Sequence, residues 1–246
     1  MRFRRSTLGL LFAAVAGLLG VVLGGGSAEQ PGSAPRFDFY LLALTLEPAF
    51  CADGNERLRQ CQTLDRQRFA RTPLVIHGLW PENRASRSYP SDCAGPKLWL
   101  EAPLRAELWR WMPGLESGLD RHEWRKHGTC SGLDDDVYFR SAIDWTVRAN
   151  EALGPALRAA AGRATTGAAL RAAADAAVPG FGASVVFMCR NLRGVEPALR
   201  RRPYLYEVRV CLDNEGAGGR PGATQRCATL DRRDQGCGER FWIDDV

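Results

Sequence analysis

Lysine is almost missing from this sequence: only Lys97 and Lys126 occur, beside 31 arginines. Histidine is nearly as scarce, at three residues. With so few, the place of each one is informative. No Cys-x-x-Cys pair occurs among the eight cysteines, and their long spacings exclude the usual structural zinc sites. Neither an acidic cluster nor a histidine set at metal-ligand spacing is present, which argues against a metal-dependent phosphodiesterase. After the first 28 residues no linker or repeat divides the chain. What remains fits one domain with a sizeable core.

Residues 1–28 have the form of a secretory signal. Arg2, Arg4 and Arg5 make a positive head, Leu8 to Leu23 is almost purely apolar, and Gly24-Gly25-Gly26-Ser27-Ala28 supplies small residues. Cleavage is expected after Ala28, leaving a secreted or periplasmic domain of residues 29–246 with no stable membrane association. The apolar run is short and ends in glycine, which argues against a retained anchor. Arg4-Arg5-Ser-Thr-Leu partly matches a twin-arginine signal. The whole chain carries +5; without the three arginines of the signal it carries +2, too little to indicate a polyanionic partner by itself. All eight cysteines follow the signal, and an even count in an exported chain reads as four disulfides.

Hydrophobic patterning predicts an α+β fold, with several helices on a mainly antiparallel sheet. Residues 37–46 and 73–77 read as buried strands, the second stopped by Gly78 and Pro81. Residues 51–61 read as a polar loop and 82–96 as surface loop. A helix is expected over 103–112, with Leu104, Leu108, Trp109 and Met112 at helical spacing. Further helices are expected over 118–128 and 134–153, the latter opening on three acids. The alanine-rich stretch 152–178 reads as one or two helices, with Thr165 or Thr166 as N-cap. Strands at 184–189, 204–212 and 240–243 close the chain.

All three histidines fall in two short segments: His77-Gly78-Leu79-Trp80-Pro81-Glu82, and His122-Glu123-Trp124-Arg125-Lys126-His127-Gly128-Thr129-Cys130. Imidazole gives and takes protons near neutral pH. On a helix, Glu123, Lys126 and His127 share a face, and His122 sits on an adjoining stripe. Such a face offers a base, a carboxylate and a cation for a developing oxyanion. His77, at a strand end, could stand opposite. Zinc binding by His122 and His127 is disfavoured, because five helical steps turn them about 140° apart and the spacing is not His-Glu-x-x-His. Trp124 reads as a packing residue, while Trp80, in a loop beside a histidine, could stack a base. Arg200-Arg201-Arg202 reads as a solvated turn.

These two segments resemble the active-site motifs of the ribonuclease T2 family, in the family's order. Residues 37–51, 204–213 and 237–244 resemble its first and last strands. The resemblance implies an endoribonuclease for single-stranded RNA, without metal or cofactor. It would form 2′,3′-cyclic phosphate ends and hydrolyse them more slowly to 3′-phosphates. It implies a catalytic set of His77, Glu123, Lys126 and His127. His77 would be general acid, His127 general base, and Glu123 with Lys126 would stabilise the transition state. His122 matches a phosphate-binding histidine; Trp80 and Glu82 match positions near the first base. The cysteine order implies pairs Cys93–Cys130, Cys189–Cys237, Cys211–Cys227 and Cys51–Cys61. The chain is expected to act as a monomer with low base specificity. One departure is Leu46, where the family commonly has Trp; it bears on packing or substrate contact and leaves the catalytic set untouched. The rivals are an RNA-binding or toxin-like protein that does not cleave, for which paired proton donors would have no use, and the metal-dependent phosphodiesterase.

Overall fold

The computed structural model describes residues 35–84, 88–214, 219–227 and 235–246. The expected signal and its cleavage point lie outside them. In chain order the strands are β1 (Phe39–Leu46), β2 (Leu74–Glu82), β3 (Ala164–Thr165), β4 (Val185–Asn191), β5 (Pro203–Asn214), β6 (Pro221–Thr224) and β7 (Phe241–Trp242). The helices are α1 (Glu47–Ala52), α2 (Arg59–Gln62), α3 (Arg66–Arg71), α4 (Ala102–Trp111), α5 (Leu119–Lys126), α6 (Asp135–Ala160) and α7 (Gly167–Ala177). The strands form one sheet in the order β2-β1-β5-β7-β3, with β4 and β6 also paired to β5. All pairings are antiparallel except β5 with β7. This is the α+β architecture the patterning predicts.

β1 is apolar at nearly every position because both of its faces are covered. Tyr40, Leu42, Leu44 and Leu46 point into the main core, which α6 shares through Tyr138, Phe139, Leu153 and Leu157. Phe39 and Leu41 point the other way, into a small cluster with Val186 and Cys211. Leu46 is fully buried, so the departure at this position is taken up by packing.

Several boundaries differ from expectation, each for a physical reason. β2 does not stop at Gly78 or Pro81 but runs to Glu82. It pairs only with β1, and a proline fits an edge strand because its missing N–H costs no ladder bond there. α6 runs past Leu153 and through Pro155, because Leu153 and Leu157 continue its buried stripe. In α4 the buried stripe is Leu104, Leu108 and Trp111, an i, i+4, i+7 series. Trp109, expected on that stripe, is 41% exposed. The segment read as a loop, 51–61, begins in the end of α1 and closes in α2, and β3 and β6 are too short and too weakly apolar to have been expected. Of the two candidate caps, Thr166 accepts from the Ala169 N–H at 3.1 Å, while Thr165 lies in β3.

All four disulfides have the implied pairing: Cys51–Cys61, Cys93–Cys130, Cys189–Cys237 and Cys211–Cys227. Cys93–Cys130 ties the segment before α4 to the turn after α5, and so braces the helix that carries the second motif. No helix among the described residues is long and apolar enough to cross a membrane.

Candidate active site

His77 owes its orientation to an irregularity in the sheet. Ala43 of β1 faces Gly78, and Leu44 faces Ile76, which leaves His77 as the extra residue of a bulge. Bulges re-aim side chains and recur beside active sites. His77 Nδ1 lies 2.8 Å from Glu207 Oε2 on β5, and Arg209 Nε donates to the other Glu207 oxygen at 2.6 Å. The imidazole is thereby held at Nδ1.

α5 supplies the opposite wall. It begins after Gly118, whose φ of +79° suits glycine, and it ends at His127, whose N–H still donates to the Glu123 carbonyl at 2.9 Å. The buried Glu123 carboxylate lies between the two motif histidines. Its Oε1 is 4.0 Å from His77 Nε2 and its Oε2 is 4.0 Å from His127 Nε2. Trp80 Nε1 donates to the same Oε2 at 2.8 Å. The Trp80 ring stacks on His127 with centroids 5.3 Å apart, and Tyr89 stacks on His127 at 5.8 Å. Gly78 makes this closeness possible: a Cβ there would stand 2.1 Å from Glu123 Oε2 and 2.3 Å from Trp80 Nε1. His127 is buried, and among the described residues its Nδ1 has no hydrogen-bond partner.

The other expected residues surround this trio. Lys126 is half-buried, and its charge acts on both Glu123 and His127. His122 is exposed and joins His77 in the wall of a cavity of about 510 Å³, which Tyr206, Glu207 and Arg190 also line. Glu82 is linked to the site through Arg209, whose guanidinium lies 5.4 Å from the Trp80 ring centroid. Trp124 packs in the core as expected, its indole donating to the Pro96 carbonyl at 2.9 Å. The arginine triplet is remote from these contacts: Arg202 lies over the Trp242 ring, 4.1 Å from its centroid. Among the described residues no cluster of three or more His, Cys, Asp and Glu side chains is arranged to hold a metal ion.

Sequence reasoning missed Glu207, Arg209 and Tyr89. A signal for the first two exists in β5, where two opposite charges two residues apart interrupt the apolar run 204–212 and share one face. Tyr89 carries no such signal.

The environments drive the two imidazoles apart. Burial pushes His77 down, but the hydrogen bond and charge of Glu207, with Glu123, outweigh it and hold the pKa above the ordinary histidine value. Burial pulls His127 down to about 3, helped by the charges of Lys126, His122 and His77. Glu123 is raised by burial against the opposing pull of His77 and Trp80. Burial would raise Glu207 too, but His77 and Arg209 bring it below the usual carboxylate range. His77 therefore keeps its proton until the pH rises through its elevated pKa, whereas His127 stays neutral until the pH falls to about 3. A mildly acidic solution presents a proton donor and a proton acceptor on either side of one carboxylate. With three histidines in the chain, imidazole NMR titration can check this directly. The His77 resonance should titrate above its ordinary value and move to lower pH in Glu207→Gln. A His77 titration indifferent to that substitution would refute the pairing as its cause.

A family model described as the ribonuclease T2 family matches residues 37–219. A protein named ribonuclease from Aeromonas hydrophila is 34% identical over 208 residues, covering 81% of this chain and 84% of its own. Ribonuclease I of Escherichia coli (strain K12) is 32% identical over 152 residues, covering 47% of this chain and 54% of its own. Among solved structures, a variant of RNase MC1 in complex with 5′-UMP is 26% identical with a TM-score of 0.62, over 85% of this chain and 99% of that one. RNase NT in complex with 5′-AMP, at 21% identity and a TM-score of 0.62, shares the fold.

Proposed function

The chain belongs to the ribonuclease T2 family and is an endoribonuclease of that family, and we propose that it cuts single-stranded RNA by transphosphorylation through its two motif histidines. One observation supports this most: the two Nε2 atoms flank a single buried carboxylate, each 4.0 Å from one of its oxygens, and their pKa values are displaced in opposite directions.

In the first step His127, neutral, takes the proton of the ribose 2′-OH. The 2′-oxygen bonds to phosphorus, the bond from phosphorus to the 5′-oxygen breaks, and His77 gives its proton to that leaving oxygen. Lys126 offsets the negative charge that accumulates on the phosphorane. Glu123, 4.0 Å from each Nε2, stabilises the same transition state by keeping the two imidazoles in place. In the slower second step the roles reverse: His77 takes a proton from water, the water oxygen bonds to phosphorus, the bond from phosphorus to the 2′-oxygen breaks, and His127 returns a proton to that oxygen. His122, at the cavity wall, receives a phosphate, and Trp80 with Glu82 lies toward the first base. The nucleophile belongs to the substrate, so the step needs neither metal nor cofactor. The four disulfides and the apolar N-terminal segment support export to an oxidising compartment, where the protein acts as a monomer of low base specificity.

The test is to offer matched RNA, DNA and 2′-O-methyl RNA in EDTA and to identify product ends by mass spectrometry. RNA alone should be cut, with cyclic phosphates early and 3′-phosphates late. Cleavage of the 2′-O-methyl strand at a rate comparable to RNA would make water the nucleophile and remove His127 from the proposed role.

A further inference from the structure

Next to the cavity lined by His77 and His122 lies a second one of about 350 Å³, walled by residues of α2, α3 and α4. The two cavities share Gln60 and Pro113, so the second adjoins the first, and neither His77 nor His122 lines it. Its walls carry Arg59, Arg68, Arg71 and Arg110 against a single carboxylate, Glu116. In a chain whose net charge without its first 28 residues is only +2, this is a marked local concentration.

The four arginines differ in availability. Arg68 is committed to the buried Glu47 at 2.8 Å. Arg59 pairs with Glu116 at 3.4 Å, but its side chain is 76% exposed, and such a pair is weak enough to be exchanged for a phosphate. Arg71 and Arg110 are exposed, and no ion pair to a carboxylate engages either among the described residues, although the Arg110 guanidinium lies over the Trp111 ring, 5.0 Å from its centroid. The same wall carries Trp109, the indole that the helical pattern would have buried and that instead lies 41% open. The platform is braced, because Cys51–Cys61 ties α2, with Arg59 and Gln60, to α1. Cations along a groove with an exposed aromatic ring are what unpaired nucleic acid binds: phosphates meet the charges, and a base stacks on the ring.

We propose that this second cavity is a distal RNA subsite that holds single-stranded RNA beyond the two nucleotides at the cut. A base lies on Trp109, and phosphates meet Arg71 and Arg110. The ligand class rests on the ribonuclease reading above, but the test does not require cleavage. The probe is a 2′-O-methyl oligouridylate of ten nucleotides, with binding followed by fluorescence anisotropy over a range of salt concentrations. Trp109→Ala should weaken binding by about fivefold or more, the lower end expected for one lost stacking contact, and Trp109→Tyr should restore most of it. Arg71→Gln/Arg110→Gln should flatten the slope of log K against log salt by about 1.4, at roughly 0.7 per phosphate contact on a single strand. Arg158→Gln, an exposed arginine of α6 outside both cavities, serves as the control for charge alone. Affinities within twofold of wild type for Trp109→Ala and for the double variant would overturn the subsite. So would an equal loss of slope in Arg158→Gln. Unmodified RNA tests the other reading separately: cleavage without these binding effects removes the subsite alone, and binding effects without cleavage remove the ribonuclease mechanism alone.

Discussion

His127→Ala and His77→Ala should each lower kcat on RNA by about 10²–10⁴-fold, the usual worth of one positioned proton transfer. The two losses should differ in kind. His77 protonates a poor leaving group, so a substrate that releases 4-nitrophenolate, which needs no proton, should recover much of the activity of His77→Ala. It should recover none for His127→Ala, because the 2′-OH still needs a base. Because the pair acts on one event, the double variant should be little worse than either single one. His127 is buried beneath Trp80 and Tyr89, so its removal also leaves a void. Thermal unfolding measured on the same samples separates lost fold from lost chemistry. Near-wild-type RNA cleavage by a folded His127→Ala would sink the mechanism.

Lys126→Ala should raise the barrier by about 2.7–4 kcal/mol, or 10²–10³ in kcat, if the ammonium acts on charge that develops at the phosphorane. Lys126→Arg should restore only part of this, since a planar fork does not place its charge where a compact ammonium does. A second effect belongs to the same side chain. After burial, Lys126 is the first of the charges that depress His127, so its removal should let the His127 pKa rise from about 3. The neutral base would then be lost at a higher pH as the solution is acidified, and the acid limb of the kcat profile should move upward. A Lys126→Ala enzyme with raised KM but unchanged kcat would instead place the lysine on ground-state phosphate binding.

What could be read in advance was local. Two motif segments carried every histidine, and helical spacing alone put Glu123 and His127 on one face. The continuous apolar run of β1 marked a strand covered on both sides. What could not be read depends on distant pairing. The bulge at His77 exists only because of the register with β1, and its carboxylate partner Glu207 lies 130 residues further along the chain. The extension of β2 through Gly78 and Pro81 follows from its place at the sheet edge. Trp109 and Trp111 are two residues apart and compositionally alike; which of them is buried depends on how α4 rolls against the core. Trp80 shows the same limit in another form. An indole beside a histidine suggests stacking, but the donor bond to Glu123 required the two segments to be seen together.

The disulfides divide the chain unequally in the order of synthesis. Cys51–Cys61 and Cys93–Cys130 join cysteines that are consecutive in the sequence, whereas Cys211–Cys227 is nested inside Cys189–Cys237. A chain oxidised as it emerges N-terminus first can pair its first four cysteines in order of appearance. For the last four, that rule gives Cys189–Cys211, a bond that must be opened by thiolate exchange before Cys189 can join Cys237. The hairpin of β4 and β5 opposes the error. Its register sets Cys189 against Leu205, so Cys211 lies six residues further along β5, at about 20 Å for a strand rise near 3.3 Å. Once those strands pair, the premature bond is out of reach. Oxidative maturation of the C-terminal half is therefore governed by whether the hairpin forms before the thiols meet, while the half that carries the second histidine motif can close its crosslinks without rearrangement.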